Sequence, residues 1–396
     1  MARKIAVCLS GGGTRAASFS AGVLHAMAEQ EMLQDVVLYC STSGGSITNA
    51  FIGTRLAFAN QAIGPDKAAF LADQLRKYNY NLGRVAVSPY SRSLRTRLSP
   101  FVLLIPLIAI VSTVAGLSMA SRTGQLFALL ISVSIALWAL DLVGGHSMRE
   151  LESRLRDGLN DVMFNTSDAR GVFLDDAMRG SPAEHVFVAT DVTTYDPVYV
   201  ARDSLVIEGE REVCPVLLLD AVIDTMRFPG YLSPRGVKVP RLVVGAQLQD
   251  NTPGRWWKRA RMLGRAEGVV YLADGGIVDN HATSYLLRDS VTSSLDMLVS
   301  ICADRGLPSS SVHRYTARGR LRALTNAIRG VHAKASRSNL DHIRRLYPDL
   351  AVVTVSLPSG SGGRTSLGRV RRRKGRSAFE IGQDIAHAEF AHWRTD

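Results

Sequence analysis

The sequence predicts an α/β protein, one domain built on a mainly parallel sheet and interrupted by a hairpin of two apolar helices. Three observations predict it. Short continuous apolar runs, which suit strands buried on both faces, alternate along the chain with residues at helical spacing. Glycine-rich turns close three of those runs. Two long stretches almost without charge occupy residues 99–143, where the alternation stops.

Ile5-Ala6-Val7-Cys8-Leu9 is the first buried strand, broken by Gly11-Gly12-Gly13. Ala16, Phe19, Val23, Leu24 and Met27 then recur at helical spacing. Val36 to Cys40 is a second strand and ends in Ser41-Thr42-Ser43-Gly44-Gly45, after which Ile47, Ala50, Phe51 and Thr54 predict a helix. Strand, loop, helix, strand, turn and helix in that order open a right-handed parallel α/β layer. Beyond the interruption the alternation resumes. Strands are expected at Val186–Ala189, Leu242–Val244, Val269–Leu272, Leu298–Cys302 and Ala351–Val355. Helices are expected at Leu217–Arg227, Ala282–Leu287, within Arg318–Leu346 and at Ala378–Trp393.

The interruption has the dimensions of a membrane hairpin. Phe101 to Ala120 carries no charged residue and Leu126 to Leu140 is almost wholly apolar, with Ser121 to Gln125 between them. A spanning helix needs about 20 apolar residues. Residues 101–120 meet that length, with a kink at Pro106, and residues 126–143 meet it when Gln125 and Asp141 lie at the interfaces. A pair of buried core helices is the competing reading. Arg84, Arg92, Arg95 and Arg97 precede the hairpin, Arg149, Arg154 and Arg156 follow it, and Arg122 stands alone in the connection. Cationic flanks stay on the cytoplasmic side. The expectation is therefore a cell-membrane protein with its soluble domain facing the cytoplasm. Its parts are 1–98, the hairpin 99–143 and 144–396, the first and last completing one α/β domain.

The chain of 396 residues is 46% hydrophobic, which excludes disorder, and its formal net charge of +12 favours an anionic partner. The strongest local basic cluster is Arg369 to Arg376. It has no interleaved aromatics and no recognition motif, so no specific nucleic acid is expected; anionic lipid contact and a solvated loop remain as its two readings. Cys8, Cys40, Cys214 and Cys302 lack metal-ligand spacing and read as reduced thiols. No secretory leader is visible, since Ile5 to Leu9 is too short for one. No cofactor is expected either. Gly11-x-Gly13-x-x-Ala16 matches a dinucleotide fingerprint only loosely, the second strand ends in Ser41 rather than an acidic residue, and no Gly-Lys-Ser/Thr follows the loop.

Three pieces carry chemistry. Ser43 stands where a strand turns sharply into a helix, an elbow that exposes a hydroxyl and points the helix's amide end at it. The elbow requires small neighbours, and here they are Ser41 and Gly45. Gly11, Gly12 and Gly13 let backbone amides converge on an anion, and Arg15 adds positive charge nearby. Asp274, with Gly275 and Gly276 behind it, puts a carboxylate at the end of a further buried strand.

In this order the glycine loop, elbow serine and Asp-Gly-Gly turn resemble the patatin-like phospholipase family over residues 4–54 and 186–356. Ala189-Thr190-Asp191 and the run from Ala221 to Pro229 extend the likeness. The resemblance implies a patatin-like three-layer α/β/α fold and hydrolysis of phospholipid or other long-chain acyl esters. It makes Ser43 the nucleophile, Asp274 its base, and the amides of Gly11, Gly12, Gly13 and Gly44 the oxyanion hole. Arg15, Gly45, Gly275 and Gly276 are the supporting residues, and neither histidine, calcium nor cofactor is required. The chain departs from the family at Ser41, at Ala16, across Asp224 to Arg227, and in the hairpin. An ordinary Ser-His-Asp hydrolase is opposed by the early elbow and by His281 following Asp274 almost at once. A non-catalytic, membrane-anchored lipid-binding scaffold on the same frame is the rival from a different class.

Overall fold

In the computed structural model the described residues are 3–62, 66–85, 149, 151–163, 171–207, 210–228, 232–239, 269–303, 338–358 and 377–391. The hairpin 99–143, the strand expected at 242–244 and the basic cluster 369–376 lie outside them. Among the described residues no helix is long and apolar enough to cross a membrane.

The sheet contains β1 (Ile5–Leu9), β2 (Val36–Ser41), β3 (Glu184–Asp191), β4 (Pro197–Ala201), β5 (Ser204–Ile207), β6 (Glu210–Val213), β7 (Arg235–Lys238), β8 (Val269–Asp274), β9 (Met297–Cys302) and β10 (Ala351–Ser356). Its order is β10-β9-β1-β2-β3-β4-β5-β6, with β8 also paired to β3, and β7 to β8. From β10 to β3 every neighbour is parallel. Beyond β3 the sheet continues as antiparallel hairpins.

Alternate residues of the parallel strands feed two different cores, as period-2 geometry demands. Ile5, Val7, Leu9 and Tyr39 point into the larger one with Phe187 and Val299. Ala6, Cys8, Leu38, Cys40 and Val186 point into the smaller one with Leu298. Helices α1 (Gly13–Glu29), α2 (Gly44–Ala62) and α3 (Lys67–Val85) cover the first face, together with α4 (151–163), α5 (Leu174–Met178) and α6 (Leu218–Asp224). Helix α7 (338–346) and the turn around Tyr285 cover the second. Helices thus lie on both faces of the sheet.

Helix α1 is buried from Thr14 to Ala28, which its run of alanines permits. Its outer side is closed by α8 (Ala378–Phe390), which starts in a capping box: Glu380 N–H donates to Ser377 Oγ at 3.2 Å, and Ser377 N–H to Glu380 Oε2 at 2.6 Å. The two helices touch through glycines. A Cβ at Gly22 would stand 2.0 Å from the Phe379 carbonyl oxygen, and one at Gly382 2.5 Å from that of Phe19.

Several expectations need correction. Ala282–Leu287 is not an α-helix but a single 3-10 turn at Ser284–Leu287. The buried Asp279 carboxylate accepts from the amides of His281 and Ser284 and from the Thr283 hydroxyl, and so satisfies the loop in place of helical carbonyls. The helix expected at Leu217–Arg227 ends at Asp224, where the Met226 and Arg227 amides turn to the carbonyls three residues back, of Ile223 and Asp224. Strands β4 to β6 stand where the sequence predicts none, and they extend the sheet past the parallel core. Asp274 does close a buried strand, but β8 runs antiparallel to β3 rather than beside the elbow strand in a parallel set.

Gly22→Ala is predicted to destabilise the protein by at least about 1–3 kcal/mol, the cost of overpacking, because the methyl meets backbone that cannot rotate away. Chemical denaturation of the two proteins side by side measures it.

Candidate active site

The site arises from the way two strands share one edge of β3. Residues Val186–Thr190 pair with β4 on one side. On the other side β2 covers the first half of β3, with Ser41 opposite Phe187, and β8 covers the last part, with Asp274 opposite Ala189. The two strands therefore meet head to head across Val188. The Val188 carbonyl accepts from Thr42 Oγ1 at 3.3 Å, and a Cβ at Gly275 would stand 1.9 Å from that oxygen. The residues just past each strand end are forced into the same space. Ser43 Oγ donates to Asp274 Oδ2 at 3.2 Å.

Ser43 has a φ of 48°, a left-handed conformation that is strained for a residue with a Cβ. The elbow holds it there. Its amide donates to the Thr225 carbonyl at 3.1 Å, and the Gly45 and Ser46 amides close the turn on Thr42 and Ser43. Gly44 and Gly45 are required by close approach: a Cβ would lie 2.0 Å from Gly13 O at the first and 2.4 Å from Leu9 O at the second. Ser41 has a use of its own. Its hydroxyl donates to Val186 O at 3.3 Å and accepts from Ser46 Oγ at 3.1 Å and Asn49 Nδ2 at 2.8 Å. Asn49 Oδ1 faces His185 Nδ1 at 2.7 Å, so that nitrogen carries the proton and Nε2, 2.8 Å from Ser181 Oγ, accepts. Burial pushes His185 down to about 3, which keeps the ring neutral.

The glycine loop lies across the elbow, with the Cβ position of Gly11 3.3 Å from Ser43 Cβ. Gly12 and Gly13 have φ of 137° and 66°. The structure divides the loop's duties differently from the expectation. The Gly11 amide is spent on the Asn280 carbonyl at 2.9 Å, so Gly11 contributes space and not a donor. Among the described residues the amides of Gly12, Gly13 and Gly44 have no acceptor. Arg15 is 3% exposed and its Nη2 donates to Ala303 O at 2.7 Å, so it ties the loop to the end of β9 rather than lining the opening.

Asp274 is 6% exposed. Its Oδ1 accepts from the Gly276 amide at 2.8 Å, and its own amide donates to the Arg227 carbonyl at 3.1 Å. Burial pushes the carboxyl up to about 7, against which the hydrogen bonds from Gly276 and Ser43 act in the opposite direction. Gly275 and Gly276 both lie where a Cβ would collide, the first with Val188 O and the second 2.8 Å from Asn280 Oδ1. No histidine touches Ser43 or Asp274 among the described residues. The nearest in sequence, His281, has its Nε2 2.7 Å from Cys302 Sγ.

The sequence did not single out Asn280, whose carbonyl takes the Gly11 amide and whose side chain fills the space beside Gly11 and Gly276. A signal existed, since Asp279-Asn280 closely follows the Asp-Gly-Gly turn. Nor did it give the carbonyls of Thr225 and Arg227, and no side-chain pattern announces those. No group of residues suited to a metal ion occurs among the described residues.

With this arrangement in view, the sequence model of the patatin-like phospholipase family matches residues 7–287, well over half of the chain. The chain belongs to that family. Comparison with the curated proteins finds no match. Among solved structures, human GIVD cytosolic phospholipase A2 is similar at 11% identity and a TM-score of 0.39, covering 76% of this chain and 45% of that one. VipD from Legionella pneumophila is similar at 12% identity and a TM-score of 0.30, covering 98% of this chain and 67% of that one. This patatin-like chain thus spans less than half the length of the human enzyme.

The raised Asp274 carboxyl makes a stability prediction. A folded-state value near 7, against the ordinary 3.8, means that the native protein keeps a proton which the unfolded chain releases. Stability from this group is present at low pH and is lost as pH rises from about 4 to about 7. Asp274→Asn removes that slope. The variant is expected to exceed wild type in urea resistance at pH 8, by more than about 1 kcal/mol, and to lose its advantage near pH 4.

Proposed function

We propose that this patatin-like protein is a membrane-anchored lipid acyl hydrolase that works through a Ser43 acyl-enzyme with Asp274 as the base. The observation that carries the proposal is the 3.2 Å contact between Ser43 Oγ and Asp274 Oδ2. It lies beside three amides, of Gly12, Gly13 and Gly44, that have no acceptor among the described residues.

Those groups supply the chemistry. Asp274 Oδ2 takes the hydroxyl proton as Ser43 Oγ attacks the ester carbonyl carbon. The electron pair displaced onto the carbonyl oxygen is held by the loop amides and the end of α2. Collapse of the intermediate expels the alcohol, which leaves with the proton from Asp274. Water then attacks the acyl-enzyme, giving its proton to Asp274 and releasing the fatty acid as Ser43 recovers its hydrogen. A carboxylate of ordinary strength is a poor base for a hydroxyl. Burial that raises Asp274 to about 7 makes it a stronger one that is still ionised at neutral pH in a large fraction of molecules.

Anchoring belongs to the same reading. The apolar segments 101–120 and 126–143, with arginines on both outer flanks, support a hairpin through the cell membrane with the catalytic domain on the cytoplasmic side. The hairpin then interrupts one domain formed by 1–98 and 144–396. Arg369–Arg376 is suited to anionic headgroups at about 1 kcal/mol per charge. The substrate is then a phospholipid or another long-chain ester of the facing leaflet.

Ser43→Ala is expected to abolish fluorophosphonate labelling and to lower fatty-acid release from liposomes by about a thousandfold or more. Wild-type kcat/KM should rise with pH through the Asp274 titration, and Asp274→Asn should remove that limb. Wild-type protein that never labels and never turns over would favour the lipid-binding scaffold instead.

A further inference from the structure

The segment Thr225-Met226-Arg227, where the chain departs from its family, holds both members of the dyad by their backbones. Thr225 O accepts the Ser43 amide and Arg227 O accepts the Asp274 amide, each at 3.1 Å. Two amides from residues 231 apart in sequence thus rest on one arc of three residues. What fixes the arc is the Arg227 side chain, which is 3% exposed.

Four of the five N–H donors of that guanidinium are engaged. Nε donates to Asp224 Oδ1 at 2.8 Å, and Nη1 to Ser233 O at 2.8 Å and to Glu152 Oε2 at 3.0 Å. Nη2 donates to Glu152 Oε1 at 2.7 Å, which completes a two-pronged pair. Asp224 is fully buried and also accepts from Arg235, while Arg156 joins Glu152 at 3.0 Å to Asp220 at 2.5 Å. The charges balance across α4, α6 and the start of β7, and none of them touches Ser43 or Asp274 directly.

We propose that Arg227 is a positioning residue for the dyad, and that Glu152 on α4 is the anchor through which that helix holds it. The inference rests on the hydrolase reading above. Near-attack geometry is sensitive to displacements of about 1 Å, which cost about a hundredfold in rate. A planar fork clamped on two carboxylates restricts its own carbonyl far more than a flexible side chain would. The arc can therefore stay folded without Arg227 and still release both amides from register.

The test uses full-length protein in detergent micelles with Arg227→Met, Arg227→Lys and Glu152→Gln, and with Lys77→Gln in an exposed surface pair as the control. Fluorophosphonate titration first counts competent sites, so misfolded protein lowers the count and not the rate per site. The expected result for Arg227→Met and Glu152→Gln is a kcat per site about 10- to 100-fold below wild type with KM within about twofold. The acidic limb of the pH profile moves to lower pH as water reaches Asp274. Arg227→Lys, whose single ammonium can serve one carboxylate, recovers part of the rate. Should Arg227→Met not fold, Glu152→Gln decides the matter, because Glu152 is 25% exposed and its amide keeps one acceptor. Wild-type kcat per site and an unmoved pH limb in the variants would overturn the proposal. Labelling that persists in Ser43→Ala would instead bring down the hydrolase reading and this inference with it.

Discussion

The structure depends on a shared edge. One side of β3 accommodates two strands in succession, β2 arriving parallel and β8 arriving antiparallel, and their ends face each other across Val188. A strand must break where its neighbour's partner changes, and the chain leaving such a break has to turn at once. The Ser43 elbow and the Asp274-Gly275-Gly276 turn are those two departures. Their side chains meet because backbone hydrogen bonding on β3 leaves no other place for them. The glycines are consequences of the same constraint, since β-carbons at Gly44, Gly45 and Gly275 would each strike a carbonyl oxygen of an adjoining strand or loop.

The same closure removes water from a carboxylate. Among the described residues Asp274 is compensated by one amide and one hydroxyl and by no cation, so its charged form is disfavoured in the resting protein. The site stores an unfavourable electrostatic state that a proton can relieve. The fold offsets this with a large apolar interior on both faces of the sheet and with the buried ion pairs around Asp224 and Arg227. The contrast between the lone Asp274 and the doubly paired Asp224 shows two uses of buried charge in one neighbourhood, the first reactive and the second fixing shape.

Much of this was readable in the amino-acid order. Continuous apolar runs located β1, β2, β8, β9 and β10, because strands covered on both faces have no polar alternation to confuse the pattern. The elbow, the glycine loop and the Asp-Gly-Gly turn were legible for a steric reason, as few other residues tolerate such close backbone approach. The division of labour within the loop was not. Whether an amide is spent or open depends on a partner far away in sequence, as with Gly11 and Asn280, and composition carries no trace of it. The hairpins β4 to β6 were missed because their short strands lie among turns and acidic or basic residues. The opposite direction of β8 was equally invisible, since a strand's sequence does not say which way its neighbour runs.

The packing of α8 on α1 has a consequence for how the molecule is made. Helix α1 carries the glycine loop at its head, and among the described residues one of its long sides is closed by residues 378–390, joined by contacts such as Gln30 to His387 that are 357 residues apart. Such distant pairings form late during folding. Until α8 arrives, that alanine-rich flank of α1 stays open to water. A nascent chain that has not yet reached residue 378 would therefore expose apolar surface along its α1 helix.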